Sequence, residues 1–140
     1  MIALFLCAVL IGNLYLIASQ MNERNSLPKI FGYAEVIVIS GSMQPVIEPG
    51  DLIIIKQQDQ YEKNDIITYR KDQIYITHRI VDANPSEVIT KGDANNTIDE
   101  PVSLSEIEGK VVLCIPAAGK IILSLKEPKG IIAVSLLVLT

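Results

Sequence analysis

The chain has 140 residues, 49% of them hydrophobic, and a formal net charge of −4. That length holds one domain, the acidic balance offers no basic patch for nucleic acid, and two widely separated cysteines make neither a disulfide framework nor a metal site. Charge is unevenly spread: no Asp, Glu, Lys or Arg occurs from Met1 to Asn22 or from Gly130 to Thr140. The ends therefore read as membrane contacts and the middle as a water-facing domain.

The first apolar run covers residues 2–18, with Asn13 its only strongly polar interruption. At ~1.5 Å rise per residue it spans most of a ~30 Å hydrocarbon core. No positive segment precedes it, and it exceeds the ~7–15 apolar residues usual in a cleaved signal peptide. Residues 1–19 thus read as a retained membrane anchor and 20–32 as a juxtamembrane segment. Arg24 and Lys29 follow the anchor and nothing charged precedes it, so the positive-inside rule weakly favours a cytoplasmic middle domain.

From Tyr33 the pattern becomes short strands joined by turns. Strands are expected at 33–39, 51–56, 66–70, 73–81, 87–90, 110–115 and 120–125. A Pro-Gly turn ends at Gly50, a hairpin turns about Lys71-Asp72, and 116–119 is a further turn. Asp51 and Asp65 open strands as turn caps. Ser103 and Glu106 fit a capping box that starts one helical turn, ended by Gly109. This predicts a mainly β fold: a small antiparallel domain over 33–127, partly closed like a barrel. Residues 128–140 are apolar but too short to span alone. They read as the start of a second membrane helix, so that membrane helices flank the domain on both sides.

Three polar sites interrupt the apolar pattern. Ser42 stands where the first strand meets a turn, with Gly41 freeing the backbone and Pro45 stopping the strand. A hydroxyl exposed on such a rigid base suits a nucleophile; the plainer reading of Ser-Gly-Ser is a polar turn. Ser40 faces the same side if the chain stays extended, where it can join the Ser42 amide in stabilising an oxyanion. His78 is the chain's only histidine. Period-2 alternation puts it inward with Ile74, Ile76 and Ile80, and Arg79 outward. It is then either a satisfied core residue or a general base, since an ordinary imidazole titrates near ~6.5. Asp93 reads as turn chemistry or as the carboxylate that holds a histidine tautomer, and Asp99 is a second candidate for that role. The order Ser, His, Asp matches none of the three familiar serine-hydrolase orders.

Taken in order, Val38-Ile-Ser-Gly-Ser-Met-Gln-Pro45, Glu48-Pro-Gly-Asp-Leu52, Asn64-Asp-Ile-Ile-Thr-Tyr69, Thr77-His-Arg-Ile-Val81, Thr90-Lys-Gly-Asp-Ala-Asn-Asn96 and Gly109-Lys-Val-Val112 resemble type I signal peptidases. The resemblance covers about residues 36–125. Bacterial-type members use a Lys base; His78 at the matching position resembles the endoplasmic-reticulum type of eukaryotes, archaea and some Gram-positive bacteria. The resemblance implies Ser42 as nucleophile, His78 as base, Asp93 as its orienting carboxylate and Asp99 as a second acidic position, with Ser40 matching the oxyanion-hole hydroxyl of bacterial-type relatives. It implies no metal or organic cofactor. Its partners would be signal peptides of exported preproteins and the lipid bilayer, with accessory subunits left open. It also implies a catalytic domain on the extracytoplasmic or luminal side, overruling the weak charge signal. Gln44 departs from a commonly acidic position, and both ends read as incomplete. The rival readings are a self-cleaving regulatory protease of the LexA type, which needs a Lys base and lacks an anchor, and a catalytically silent, membrane-tethered β domain that scaffolds or chaperones exported proteins.

Overall fold

The computed structural model of the chain describes residues 27–126. The anchor expected at 1–19 and the apolar segment at 128–140 lie outside the described residues. Among the described residues no helix is long and apolar enough to cross a membrane.

Seven strands form one antiparallel sheet: β1 (Tyr33–Ile37), β2 (Leu52–Lys56), β3 (Ile66–Lys71), β4 (Ile74–Ala83), β5 (Glu87–Lys91), β6 (Val102–Ser103) and β7 (Ile107–Ile115). Runs of β-branched residues, such as Ile53-Ile54-Ile55, suit a pleated surface buried on one or both faces. The spatial order is β1-β2-β7-β3-β4-β5-β6. The last strand in sequence therefore lies mid-sheet, paired on one side with β2 and on the other with β3.

Two buried clusters divide the core. One gathers Ala34, Met43, Ile47, Ile53 and Ile55 on the β1–β2 side. The other gathers Ile67, Tyr69, Ile80, Val88, Val102 and Ile107 on the β3–β6 side. Met43 and Ile47, both 1% exposed, are the pegs that fasten the β1–β2 connection to the first cluster. Met43→Ala should cost about 2–5 kcal/mol of stability by opening a cavity there, read as a lowered midpoint in urea unfolding.

The β3–β4 hairpin turns on Asp72 and Gln73, whose φ values of 49° and 67° match the two positive φ angles of a type I′ turn. The capping box forms: the Ser103 amide donates to Glu106 Oε2 at 2.9 Å, and the Ser103 hydroxyl caps in return. It starts a 3-10 turn at Leu104–Glu106, while Gly109 lies inside β7. Asp51 and Asp65 each accept the amide three residues earlier, from Glu48 at 2.9 Å and Glu62 at 3.0 Å. Ahead of β1, Leu27 packs on the first cluster. Lys29 Nζ lies 2.9 Å from Glu108 Oε2, supplying that buried carboxylate with a counter-charge but not a well-directed hydrogen bond.

Two expectations are corrected. The strand expected at 120–125 is part of a helix, α1 (Ala118–Lys126). Both edges of β7 are already occupied, so the chain leaving Ile115 has no free ladder beside it. It turns at Ala117 (φ 59°) and seats α1 with the Lys120 amide on Gly50 O at 3.2 Å. Gly119 permits this approach, because a Cβ there would stand 2.6 Å from Ile37 Cγ2. The second correction concerns closure. β1 and β6 are opposite ends of the order and no ladder joins them, so the strands do not close a barrel. The two sides of the sheet meet instead through loops, where the Ala94 amide donates to Ser42 O at 2.9 Å.

Candidate functional site

The segment after β1 stays paired with the start of β2 for one more residue: Val38 N donates to Asp51 O at 2.9 Å and Gly50 N to Val38 O at 2.7 Å. Beyond it the chain coils through residues 40–47, drawn inward by Met43 and Ile47. Ser42 is half-buried at the start of this coil and Ser40 is exposed. Their hydroxyl oxygens are 3.3 Å apart, so the two serines share one side. The Ser42 carbonyl is pressed onto the turn after β5. A Cβ on Gly92 would stand 2.7 Å from Ser42 O, so only glycine lets the two backbones meet so closely.

His78 lies on β4 opposite Ile67 and is 7% exposed. Alternation puts it inward beside buried Ile80, whereas Ile74, expected on the same face, is exposed at the hairpin end and Ile76 is half-buried. Its Nδ1 is 2.5 Å from Asp99 Oδ2. Asp99 reaches it because the loop after β5 folds back, with the Asp99 amide donating to Thr90 O at 2.8 Å. The same Oδ2 accepts the Thr90 hydroxyl at 2.7 Å and the Tyr69 hydroxyl at 3.3 Å. The Tyr69 ring also meets the imidazole edge-to-face, with centroids 6.5 Å apart. Burial pushes the Tyr69 phenol up to about 12, opposed by its hydrogen bond with Thr90 and reinforced by the Asp99 charge. It is therefore a neutral donor at any physiological pH.

Asp93 is elsewhere engaged. Arg79 Nε and Nη2 donate to its two oxygens at 2.9 and 2.7 Å, and Arg79 Nη1 donates to Asn64 O at 3.0 Å. This bidentate pair holds the Asp93 carboxyl below its ordinary range, the Arg79 hydrogen bonds being the largest cause. The structure thus separates the two candidate carboxylates: Asp99 contacts His78, and Asp93 braces the turn on which Ser42 rests. No hydrogen bond joins Ser42 Oγ to His78. Catalytic hydrogen bonds of this kind often tighten only with substrate. Among the described residues no group of three His, Cys, Asp or Glu is placed to hold a metal ion.

The sequence reading did not single out Tyr69 or Thr90. Both lie at inward positions of their strands, in step with Ile67 and Val88. A polar tip at an inward position beside a candidate His was the available signal.

An imidazole that donates from Nδ1 to a carboxylate presents Nε2 as an acceptor. A serine hydroxyl and a carboxylate-supported imidazole are the parts of serine-hydrolase chemistry. Residues 24–112 match the model of the Peptidase S24-like family. The chain belongs to that family. Among curated relatives, the family member is 36% identical to Signal peptidase I W of Bacillus subtilis over 99 residues, covering 64% of this chain and 52% of that one. It is 31% identical to the signal peptidase complex catalytic subunit SEC11 of Lachancea thermotolerans over 127 residues, covering 73% and 76%. With the SEC11 of Metarhizium acridum it shares 29% over 109 residues, covering 66% and 63%. The chain spans about half the length of the first of these relatives and under two thirds of the last.

Proposed function

We propose that the chain is a membrane-bound serine endopeptidase that removes N-terminal signal peptides from exported preproteins. Its catalytic domain would occupy residues 33–127, held at the extracytoplasmic or luminal membrane surface by the apolar ends. The observation that carries the reading is the 2.5 Å contact of His78 Nδ1 with Asp99, which leaves Nε2 free to take a proton. Membership of a peptidase family supports it, as do relatives named signal peptidases. A His at the base position favours this reading over a Lys-dependent, self-cleaving regulator.

The chemistry runs in two steps. His78 Nε2 takes the Ser42 proton as Oγ attacks the scissile carbonyl. The Ser42 amide, with the Ser40 hydroxyl beside it, stabilises the tetrahedral oxyanion; one such donor is typically worth ~2.7–4 kcal/mol of barrier. Asp99 stabilises the imidazolium without taking its proton. His78 then protonates the leaving amine, and water releases the acyl-enzyme by the same route. No cofactor takes part in these steps.

Cleavage of a preprotein in liposomes tests this. Ser42→Ala and His78→Ala should each lower kcat by roughly 10⁶-fold, the scale of losing a nucleophile or base that works as a unit, with cutting after a small residue in the parent. Cleavage that survives Ser42→Ala removes the nucleophile assignment. A silent parent favours the scaffold reading.

A further inference from the structure

We infer that Thr90 and Tyr69 are positioning residues for this reaction: their hydroxyls fix the Asp99 carboxylate and set how strongly it holds His78. The inference rests on the proposed role of His78 as base. Three donors converge on a single oxygen, Asp99 Oδ2: His78 Nδ1 at 2.5 Å, Thr90 Oγ1 at 2.7 Å and Tyr69 OH at 3.3 Å. The two hydroxyls also lie 3.3 Å from one another. Thr90 is fully buried and Tyr69 is 1% exposed, so water does not take their place.

That convergence has two consequences. Geometrically, an oxygen gripped from two sides cannot rotate away, so the carboxylate meets Nδ1 in one orientation and the imidazole keeps Nε2 free. Electrostatically, each hydroxyl donor takes up part of the negative charge and favours the ionised carboxylate. Removing either donor would leave more charge on Oδ2 to face the His78 Nδ1–H. Tyr69 adds a third constraint by standing edge-on to the ring. Among the described residues the titratable groups that face His78 are few. Asp99 and Tyr69 touch it, from the loop after β5 and from β3; Asp93 acts from the turn after β5, with its charge matched by Arg79.

Thr90→Val removes the hydroxyl at constant shape. In the full chain it should lower kcat about 10–100-fold, the range for a lost hydrogen bond to a charged group, and leave KM unchanged. The acid limb of kcat/KM should move to higher pH. Because His78 is the only histidine, its NMR titration reads the same change without any activity, and that midpoint should rise in step. Thr90→Ser should restore both; a purely structural role would move neither the limb nor the titration. If Thr90→Val does not fold, Tyr69→Phe keeps the ring packing and is measured the same way, with a smaller shift in the same direction. A folded Thr90→Val with the parent's kcat and the parent's His78 titration overturns the inference. A parent that never cleaves overturns the peptidase reading and the positioning role with it; a His78 titration that still rises in Thr90→Val and returns in Thr90→Ser then shows only that Thr90 sets the hold of Asp99 on His78.

Discussion

On the proposed mechanism Asp99→Asn should lower kcat by about 10³–10⁴-fold, the scale of an Asp-to-Asn change in a Ser-His-Asp triad, while Asp93→Asn should lower it by no more than about tenfold. The amide can still occupy the site of Oδ2 and accept from His78, Thr90 and Tyr69, so KM and folding should change little in the Asp99 variant. On the proposed mechanism, what disappears is the charge that the imidazolium needs once the Ser42 proton has moved. Asp93→Asn acts differently. It halves a bidentate grip on Arg79 and loosens the turn whose Ala94 amide holds Ser42 O, so most of its effect should appear in stability. Steady-state cleavage by both variants, with urea unfolding alongside, checks the pair. A folded Asp93→Asn that loses more kcat than Asp99→Asn would reverse the assignment of the two carboxylates.

Asp51→Asn destabilises the fold by about 2–4 kcal/mol at pH 7, and the deficit shrinks on acidification. The Asp51 side chain is 6% exposed and ties three segments together. It accepts Glu48 N and Ala117 N at 2.9 Å each, with Cys114 Sγ at 3.5 Å. An amide can satisfy one of those backbone donors and must turn its own N–H₂ toward another, and bonds to a charged acceptor are typically worth ~1.5–3 kcal/mol. The same donors, Ala117 first and then Glu48, hold the carboxyl below its ordinary 3.8 against the opposing effect of burial. A carboxylate with a depressed folded pKa contributes stability that is fully present above the unfolded value and is lost as pH falls through the folded one. The parent should therefore weaken below about pH 4, while Asp51→Asn lacks this component. Urea midpoints at pH 7 and pH 3 decide the point: an Asn deficit that is equal at both would show that shape, and not charge, is what Asp51 supplies. Cys114 responds in the opposite sense, its thiol pushed up by burial and then by Asp51.

The sequence was legible wherever one local rule governed. Alternation set His78 inward, the β-branched run made β2, and the capping box at Ser103 formed as its spacing required. Strand ends were less legible: β1 stops at Ile37, earlier than its apolar run, because Gly50 and Asp51 take over the pairing of Val38. Residues 120–125 failed for another reason. A short apolar run reads equally as strand or helix, and the deciding fact, that both edges of β7 are taken, belongs to the whole sheet. The choice between Asp93 and Asp99 was likewise non-local. Arg79 faces Lys91 across the β4–β5 ladder and turns to Asp93, while the loop back to Thr90 carries Asp99 to His78. Thr90 and Tyr69 escaped notice because alternation marks a position as inward without saying what it meets there.

The mid-sheet place of β7 gives the molecule a built-in timing. Ser42 belongs to the half that holds β1 and β2; His78, Thr90 and Asp99 belong to the half that holds β3 to β6. Every ladder between the halves runs through β7, which is also the strand that leaves the ribosome last. Until β7 is made, the strand before Ser42 and the strand of His78 share no ladder, and only the loop contact of Ala94 with Ser42 links their halves. The sheet that carries both is complete only after Ile115 has been threaded between its neighbours, so on the proposed reading an unfinished chain holds no assembled site.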